Sequence, residues 1–238
     1  MNIALIGYGK MGKAIHEIAK QRGHEVVLTI DLENTNELTA EQIKKADVAI
    51  EFTSPHTAFM NVNFCLQHKV PVVCGSTGWL EKLDAAKKIA AENKTGLIVA
   101  SNFSVGVTIF FELNKRLATL MNAHQEYSIK LTEVHHTQKK DAPSGTAISL
   151  AEQILGQIGH KTKWVNKETL KANELPIISE RIDPAPGTHH VKYSSAIDDI
   201  EIIHTAHNRT GFALGAVLAA EFLKDKHGFF GMKEVLNL

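Results

Sequence analysis

With 238 residues, 44% hydrophobic and 22% charged, the chain has a soluble globular composition and is long enough for two modest domains or one large α/β unit. Lysine plus arginine and aspartate plus glutamate both number 26, so no global basic field exists to draw nucleic acid or an anionic membrane. The 16 glycines and 6 prolines form no low-complexity tract, which excludes fibrous and disordered classes.

The first strand candidate, Ile3 to Ile6, has no basic flank or cleavage site before it and runs straight into Gly7-Tyr8-Gly9-Lys10-Met11-Gly12. A helix with apolar Ile15, Ile18 and Ala19 follows. G-x-G-x-x-G between a strand and a helix is a dinucleotide fingerprint. Gly7 permits the tight turn, Gly9 lets a pyrophosphate approach the backbone, and Gly12 lets the helix pack close to the strand. The helix start faces the anion with free N–H groups and the positive end of its dipole. Asp31 ends the second strand, Glu25 to Ile30, where a carboxylate accepts from the adenosine ribose hydroxyls. A glycine-rich turn and a surface Asp without a ligand is the bland alternative. The strand, turn, helix, strand and acid in register speak against it.

The expected cofactor is NADH, NADPH or both. Asp31, followed by Leu32 where an arginine would hold a 2′-phosphate, leans toward NADH, and Lys10 and Lys13 partly offset that charge. Thr39 and Gln42 are spaced as a capping box for a further helix. The runs Asp47 to Phe52, Pro71 to Gly75 and Gly96 to Ala100 alternate with helical stretches, a pattern that builds a parallel sheet covered on both faces. Cys65 and Cys74 have no redox or zinc spacing and read as reduced core thiols of a cytoplasmic protein.

After Ser104 the pattern changes. A helix over about Val105 to Met121 leads to a strand, Tyr127 to Val134, then a polar loop and a helix opening near Ser144. Lys161 to Glu174 is polar and reads as surface connection. His189 to Ser194 and Asp199 to Thr205 form an antiparallel pair about a turn at Ala196 to Asp199. The last helix, Gly211 to Leu223, is too short for a membrane span, which takes roughly 20 apolar residues.

Residues 133–147, Glu-Val-His-His-Thr-Gln-Lys-Lys-Asp-Ala-Pro-Ser-Gly-Thr-Ala, gather protonatable groups beside a helix start. His135 and His136 leave a strand end, so they point to opposite sides and need not share one task. Lys139 supplies positive charge, and Ser144-Gly145-Thr146 offers hydroxyls, N–H groups and a helix dipole to a carboxylate. Taken piecemeal, a basic surface loop with a capped helix accounts for the parts equally well. A metal centre fares worse, because no three of the 13 histidines show a ligand spacing.

This segment resembles the signature of dihydrodipicolinate reductases throughout. The similarity covers essentially the whole chain, through Gly7–Gly12, Phe52-Thr53, Gly75-Ser76-Thr77-Gly78, Ser101–Val107, His204-Thr205-Ala206, Arg209, Phe212-Ala213 and Gly215-Ala216. The resemblance implies an α/β Rossmann dinucleotide-binding domain over 1–103 and 209–238. It also implies an α+β domain over 104–208 whose open mixed sheet binds substrate and pairs subunits into a homotetramer. The reaction implied is NAD(P)H-dependent reduction of 4-hydroxy-2,3,4,5-tetrahydrodipicolinate to tetrahydrodipicolinate with loss of water, a step of diaminopimelate and lysine biosynthesis.

By position, His135 and Lys139 match catalytic proton-transfer residues, and His136, Ser144, Gly145, Thr146 and Thr77 match substrate-binding ones. Gly7, Tyr8, Gly9, Lys10, Met11, Gly12 and Asp31 match the dinucleotide turn and ribose acid. Phe52, Gly75, Ser76, Thr77, Ser101, Asn102, Phe103, Ser104 and Arg209 match the remaining cofactor contacts. Thr137 and Gln138 stand where many relatives carry a further basic residue, and Arg181 to Gly187 is less glycine-rich than expected. Competing readings are a Rossmann dehydrogenase of another small carboxylate, such as an amino acid, and a non-catalytic NAD(H) sensor. A sensor would not need Lys139 and a histidine pair beside an anion cradle, and no DNA-reading basic helix is evident.

Overall fold

A computed structural model describes residues 1–208 and 210–238. The chain divides into two compact units, one made of Met1–Val105 with Thr210–Leu238 and the other of the stretch that begins at Gly106. The first unit starts β1 (Asn2–Ile6), α1 (Lys10–Gln21), β2 (Glu25–Ile30), α2 (Ala40–Ile43), β3 (Val48–Glu51), α3 (Ala58–Gln67), β4 (Val72–Cys74), α4 (Leu83–Glu92) and β5 (Gly96–Val99). The second contains nearly all of α5 (Val105–Met121), then β6 (Ser128–His135), α6 (Gly145–Leu155), β7 (Lys163–Val165), β8 (Glu174–Arg181), β9 (Gly187–Ser194) and β10 (Asp199–Ala206). The chain returns to the first unit with α7 (Thr210–Leu223), β11 (Gly228–Phe230) and α8 (Met232–Leu236).

The first unit is a Rossmann-like sandwich around a parallel sheet of order β11-β5-β4-β3-β1-β2. Strand β3, Val-Ala-Ile-Glu, is buried at every position, as a central strand covered on both faces must be. Alternate side chains feed two cores. Ala4, Ile6, Val72 and Leu97 meet Val62 and Leu66 of α3 and Ala86 and Ala90 of α4. Ile3, Leu5, Ile50 and Ile98 meet Ile15 and Ala19 of α1 and the small residues of α7. Small residues let α7 come close: a Cβ on Gly215 would lie 1.7 Å from the Phe103 carbonyl oxygen.

The second unit is a mixed sheet of order β10-β9-β6-β8-β7, in which β6, β8 and β7 run parallel while β9 opposes β6 and β10 opposes β9. One face is apolar. Ile129, Leu131, Ile177, Val191 and Tyr193 pack with Leu150 and Ile154 of α6 and with Phe110, Ala118 and Met121 of α5. Asn114 ties the two helices by donating to the Leu150 carbonyl at 3.1 Å. The other face carries Lys130, Lys192 and Glu201, and the edge strand β10 leaves Ile203 57% exposed on it.

Four points of the sequence reading need correction. Lys161 to Glu174 is not all connection, because β7 lies inside it and pairs with β8. Strand β8 itself was unforeseen: Glu174 to Ile177 is continuously buried and lacks the alternation that marks a half-exposed strand. At α2 only half of the capping box forms. Thr39 accepts from the Gln42 N–H at 3.3 Å, but the Gln42 side chain turns outward and accepts from Lys45 at 2.9 Å. Strand β11 and helix α8, short elements after Leu223, were also unforeseen.

Candidate active site

In the first unit, Gly7 has φ +98°, and a Cβ on it would lie 2.0 Å from the Phe52 carbonyl oxygen. A Cβ on Gly12 would lie 2.2 Å from the Gly7 carbonyl oxygen. Both positions therefore require glycine for the fold itself. Gly9 differs. It caps α1 with no side-chain hydrogen bond, no acidic residue stands in the first turn, and a Cβ on it would meet nothing within 4 Å. Bare helix N–H groups beside open space fit a pyrophosphate.

A cleft of about 590 Å³ runs from Gly7 and Gly9 past Asp31 to Thr53, Met60 and Asn61. Asp31 lies one residue beyond the end of β2, exposed, with its Oδ1 accepting from the Leu32 N–H at 2.9 Å. Tyr8 turns aside to bond His16 Nδ1 at 2.7 Å, Lys10 is exposed, and Met11 packs on the α1 and α7 side of the sheet. The remaining matched loops interlock. Gly75 lies under the Phe52 ring, Ser76 Oγ accepts from the Thr53 N–H at 2.8 Å, and Phe52 packs on Phe103 with ring centroids 5.6 Å apart. Phe103 is a core side chain, Ser76 and Ser104 are buried, and Thr77 and Ser101 are exposed. Asn102 accepts from the Ser104 N–H at 2.8 Å. Arg209 lies outside the described residues.

In the second unit the sheet register assembles the site. Glu133 and His135, two apart on β6, share the helix-covered face that Ile129 and Leu131 begin. Glu133 pairs across to Ser179 on β8 and His189 on β9, while His135 pairs with Arg181. Fully buried Glu133 accepts from His135 Nδ1, and the Arg181 guanidinium lies 3.0 Å from its other oxygen. Burial alone would raise this carboxyl, but His135, Ser179 and Arg181 outweigh it and hold it down to about 2. His135 Nε2 faces Gly187, where a Cβ would approach to 3.0 Å. The His135 ring meets His189 edge to face at 5.2 Å.

Ser144 caps α6 as expected, its Oγ accepting from the Ala147 N–H at 3.2 Å, and it also lies 3.1 Å from His189 Nε2. Gly145 is exposed and Thr146 half-buried in the first turn. Lys139 donates to both oxygens of Asp141 at 2.9 Å. His136 points away from His135, as strand alternation requires, and lines a separate hollow with Gln138, Asp183 and Pro184. The second unit thus joins His135 to the Ser144 helix start through His189.

Sequence reasoning gave no role to Glu133, Arg181 or His189. The two-residue spacing of Glu133 and His135 on a strand was a usable signal for a shared face. Arg181 and His189 enter by pairing across 46 and 56 positions, and no local pattern announces that. One ligand-type atom from each of Glu133, His135 and His189 comes within 4.8 Å of the others, a grouping invisible to a search over histidines alone. Arg181 and His135 already engage this carboxylate, and in this row His189 meets His135 by ring contact alone.

Comparison with known proteins shows the family. The family described as "Dihydrodipicolinate reductase, N-terminus" matches residues 1–103, and "Dihydrodipicolinate reductase, C-terminus" matches residues 106–236. A 4-hydroxy-tetrahydrodipicolinate reductase of Christiangramia forsetii is 51% identical, covering 100% of this chain and 98% of that protein. A reductase of the same name from Methanoregula boonei is 32% identical over 97% of this chain and 95% of its own. Among solved structures, a dipicolinate-bound dihydrodipicolinate reductase from Paenisporosarcina sp. TG-14 superposes with a TM-score of 0.79 at 26% identity, covering 98% of both chains. With both halves matched and a half-identical relative along its full length, the chain belongs to the dihydrodipicolinate reductase family, whose N-terminal domain binds NAD(P).

Proposed function

We propose that the chain reduces 4-hydroxy-2,3,4,5-tetrahydrodipicolinate to tetrahydrodipicolinate, consuming one NADH or NADPH and one proton and releasing one water. The first unit is the dinucleotide domain, with the α1 start on the pyrophosphate and Asp31 toward the adenosine ribose. The second unit is the substrate domain. When bound, the nicotinamide supplies the hydride, so the protein's residues position the ring and move protons.

Loss of the ring hydroxyl as water leaves a conjugated imine, and hydride addition to it builds electron density that a proton must quench. His135 handles that proton at Nε2, because Nδ1 is committed to Glu133 and Gly187 keeps side-chain atoms away from Nε2. Lys139 exchanges Asp141 for a substrate carboxylate and serves as a second proton donor. Ser144, Gly145 and Thr146 hold a carboxylate at the α6 start, with His136 a further substrate contact.

The observation that carries the reading is the contact of both His135 and Ser144 with His189, which puts a proton-transfer group beside an anion-holding helix start. The reading extends to a homotetramer paired through the open face of the second sheet. It also extends to a cytoplasmic location, in keeping with the free buried thiols Cys65 and Cys74. The test follows NADH and NADPH oxidation with substrate generated in place from pyruvate and aspartate semialdehyde by the preceding enzyme. Oxidation dependent on that substrate is expected. Oxidation with an amino acid's keto acid and ammonia instead would replace the reading by an amino-acid dehydrogenase.

A further inference from the structure

The proposed chemistry leaves His189 without a task of its own. It is 5% exposed on β9, in register with Glu133 on one side and His204 on the other. Burial first, then the charges of His135, His204 and Lys139 against the pull of Glu133, push its imidazole down to about 3. The ring is therefore neutral near pH 7 and carries a single proton.

The neighbours decide which nitrogen holds that proton. Nδ1 is buried and has no hydrogen-bond partner among the described residues, whereas Nε2 lies 3.1 Å from Ser144 Oγ. A buried N–H without an acceptor is rarer and costlier than a bare lone pair, so the proton belongs on Nε2, donated to Ser144. Ser144 Oγ also accepts the Ala147 N–H at 3.2 Å. A hydroxyl oxygen has two lone pairs and one proton. With both lone pairs filled, Ser144 keeps its proton for a third partner. The opposite tautomer would spend that proton on Nε2 and turn lone pairs toward an incoming anion.

We propose that His189 is a positioning residue that, by donating from Nε2, fixes Ser144 as a hydrogen-bond donor to a carboxylate of the substrate. The inference rests on the functional reading above and adds the device that orients its carboxylate cradle. It also separates the two buried imidazoles of the row: His135 moves a proton, and His189 holds one still.

The test uses the full-length enzyme with NADH and dipicolinate, the dicarboxylate held by the Paenisporosarcina structure. In enzyme labelled with 15N-histidine, His189 is assigned by the signal lost in His189→Gln, and a neutral Nε2–H tautomer is expected around neutral pH. An Nδ1–H tautomer in the complex overturns the proposal. By calorimetry, Ser144→Ala should weaken dipicolinate about 10- to 100-fold, the loss expected for a hydrogen bond to a charged group. His189→Leu should weaken it about 5- to 20-fold alone and add almost nothing to Ser144→Ala, because the two act as one unit. His189→Gln, whose amide retains a donor, should recover most of the affinity, and NADH affinity should stay unchanged in every variant. Losses that simply add, or unchanged dipicolinate affinity in His189→Leu, overturn the proposal. Should His189→Leu fail to fold, the tautomer and the single-variant affinities decide: an Nδ1–H tautomer, or a Ser144→Ala variant that binds dipicolinate as the parent does, overturns the proposal. Failure of the parent to bind dipicolinate at all would instead remove the functional reading, and this inference with it.

Discussion

The glycine turn of the first unit is made of backbone and empty space, whereas the Glu133, His135 and His189 row of the second is made of ionisable side chains with little space around them. The turn works because atoms are missing: carbonyl oxygens lie 2.0 and 2.2 Å from where side chains on Gly7 and Gly12 would begin. The row works through specific polar pairings, Arg181 and His135 with Glu133 and His189 with Ser144. Adding a carbon should therefore harm the first site most. Removing a charge, with volume kept, should harm the second.

The largest effect is expected in the second unit. Glu133→Gln keeps volume, yet its amide can donate to His135 Nδ1 and reverse the tautomer, while Lys139→Ala removes a proton donor. Each should cut turnover by roughly 10² to 10⁴ with NADH affinity unchanged. Stopped-flow turnover beside NADH titration checks this, and near-normal turnover in both would take the row and its lysine out of the mechanism.

Next come the glycines. Gly9→Ala should leave the melting temperature unchanged and weaken NADH about 10- to 100-fold, since the added methyl meets only bound pyrophosphate. Gly7→Ala should lower both, because the methyl meets the protein's own backbone. Equal melting losses in the two variants would erase the distinction between a site for a ligand and a position for the fold.

A third effect concerns acid. The His189 ring is held near 3 in the folded state against 6.5 in a free chain, so the unfolded state binds the proton first and stability falls as pH drops below 6.5. Glu133 acts later: its stabilisation is present above 4.5 and lost as pH falls toward about 2. Between 6.5 and 4.5 the loss from His189 should approach about 1 kcal/mol per pH unit. Urea unfolding of the parent should show this slope, and His189→Leu should flatten it. Equal slopes would mean that another group governs the acid side.

The smallest effect is at the rim of the turn, where charges sit near solvent and salt screens them. Asp31→Ala should shift catalytic efficiency from NADH toward NADPH by roughly 3- to 10-fold, more at low salt. A parent strongly selective for NADPH would show that Lys10 and Lys13 outweigh Asp31.

The same contrast explains what was legible in the sequence. The turn is contiguous, so strand, glycines and helix announce themselves in a dozen residues, and the boundaries of β2 and α5 follow from local pattern. Ser144 was legible as a cap for the same reason. The row depends on which strand lies beside β6, a matter settled by packing over long separations. Strand β8, which supplies Ser179 and Arg181, escaped notice because its buried start shows no alternation. The Lys161 to Glu174 stretch misled because β7 is a short edge strand with polar neighbours, and composition there speaks of solvent and not of pairing.

The return of the chain after the second unit has a consequence for synthesis. Strand β11 completes the edge of the first sheet against β5, and α7 covers Ile3, Leu5, Ile50 and Ile98. A nascent chain stalled before α7 would hold the first half of a sandwich with one side covered by α1 alone, while the second unit, begun later, already has all of its strands. On the ribosome the order of folding should therefore invert the order of the sequence. The inserted unit is able to close first, and the N-terminal strands wait for the last residues to emerge. During that wait the apolar surface that α7 will cover is the part of the molecule that a chaperone would hold.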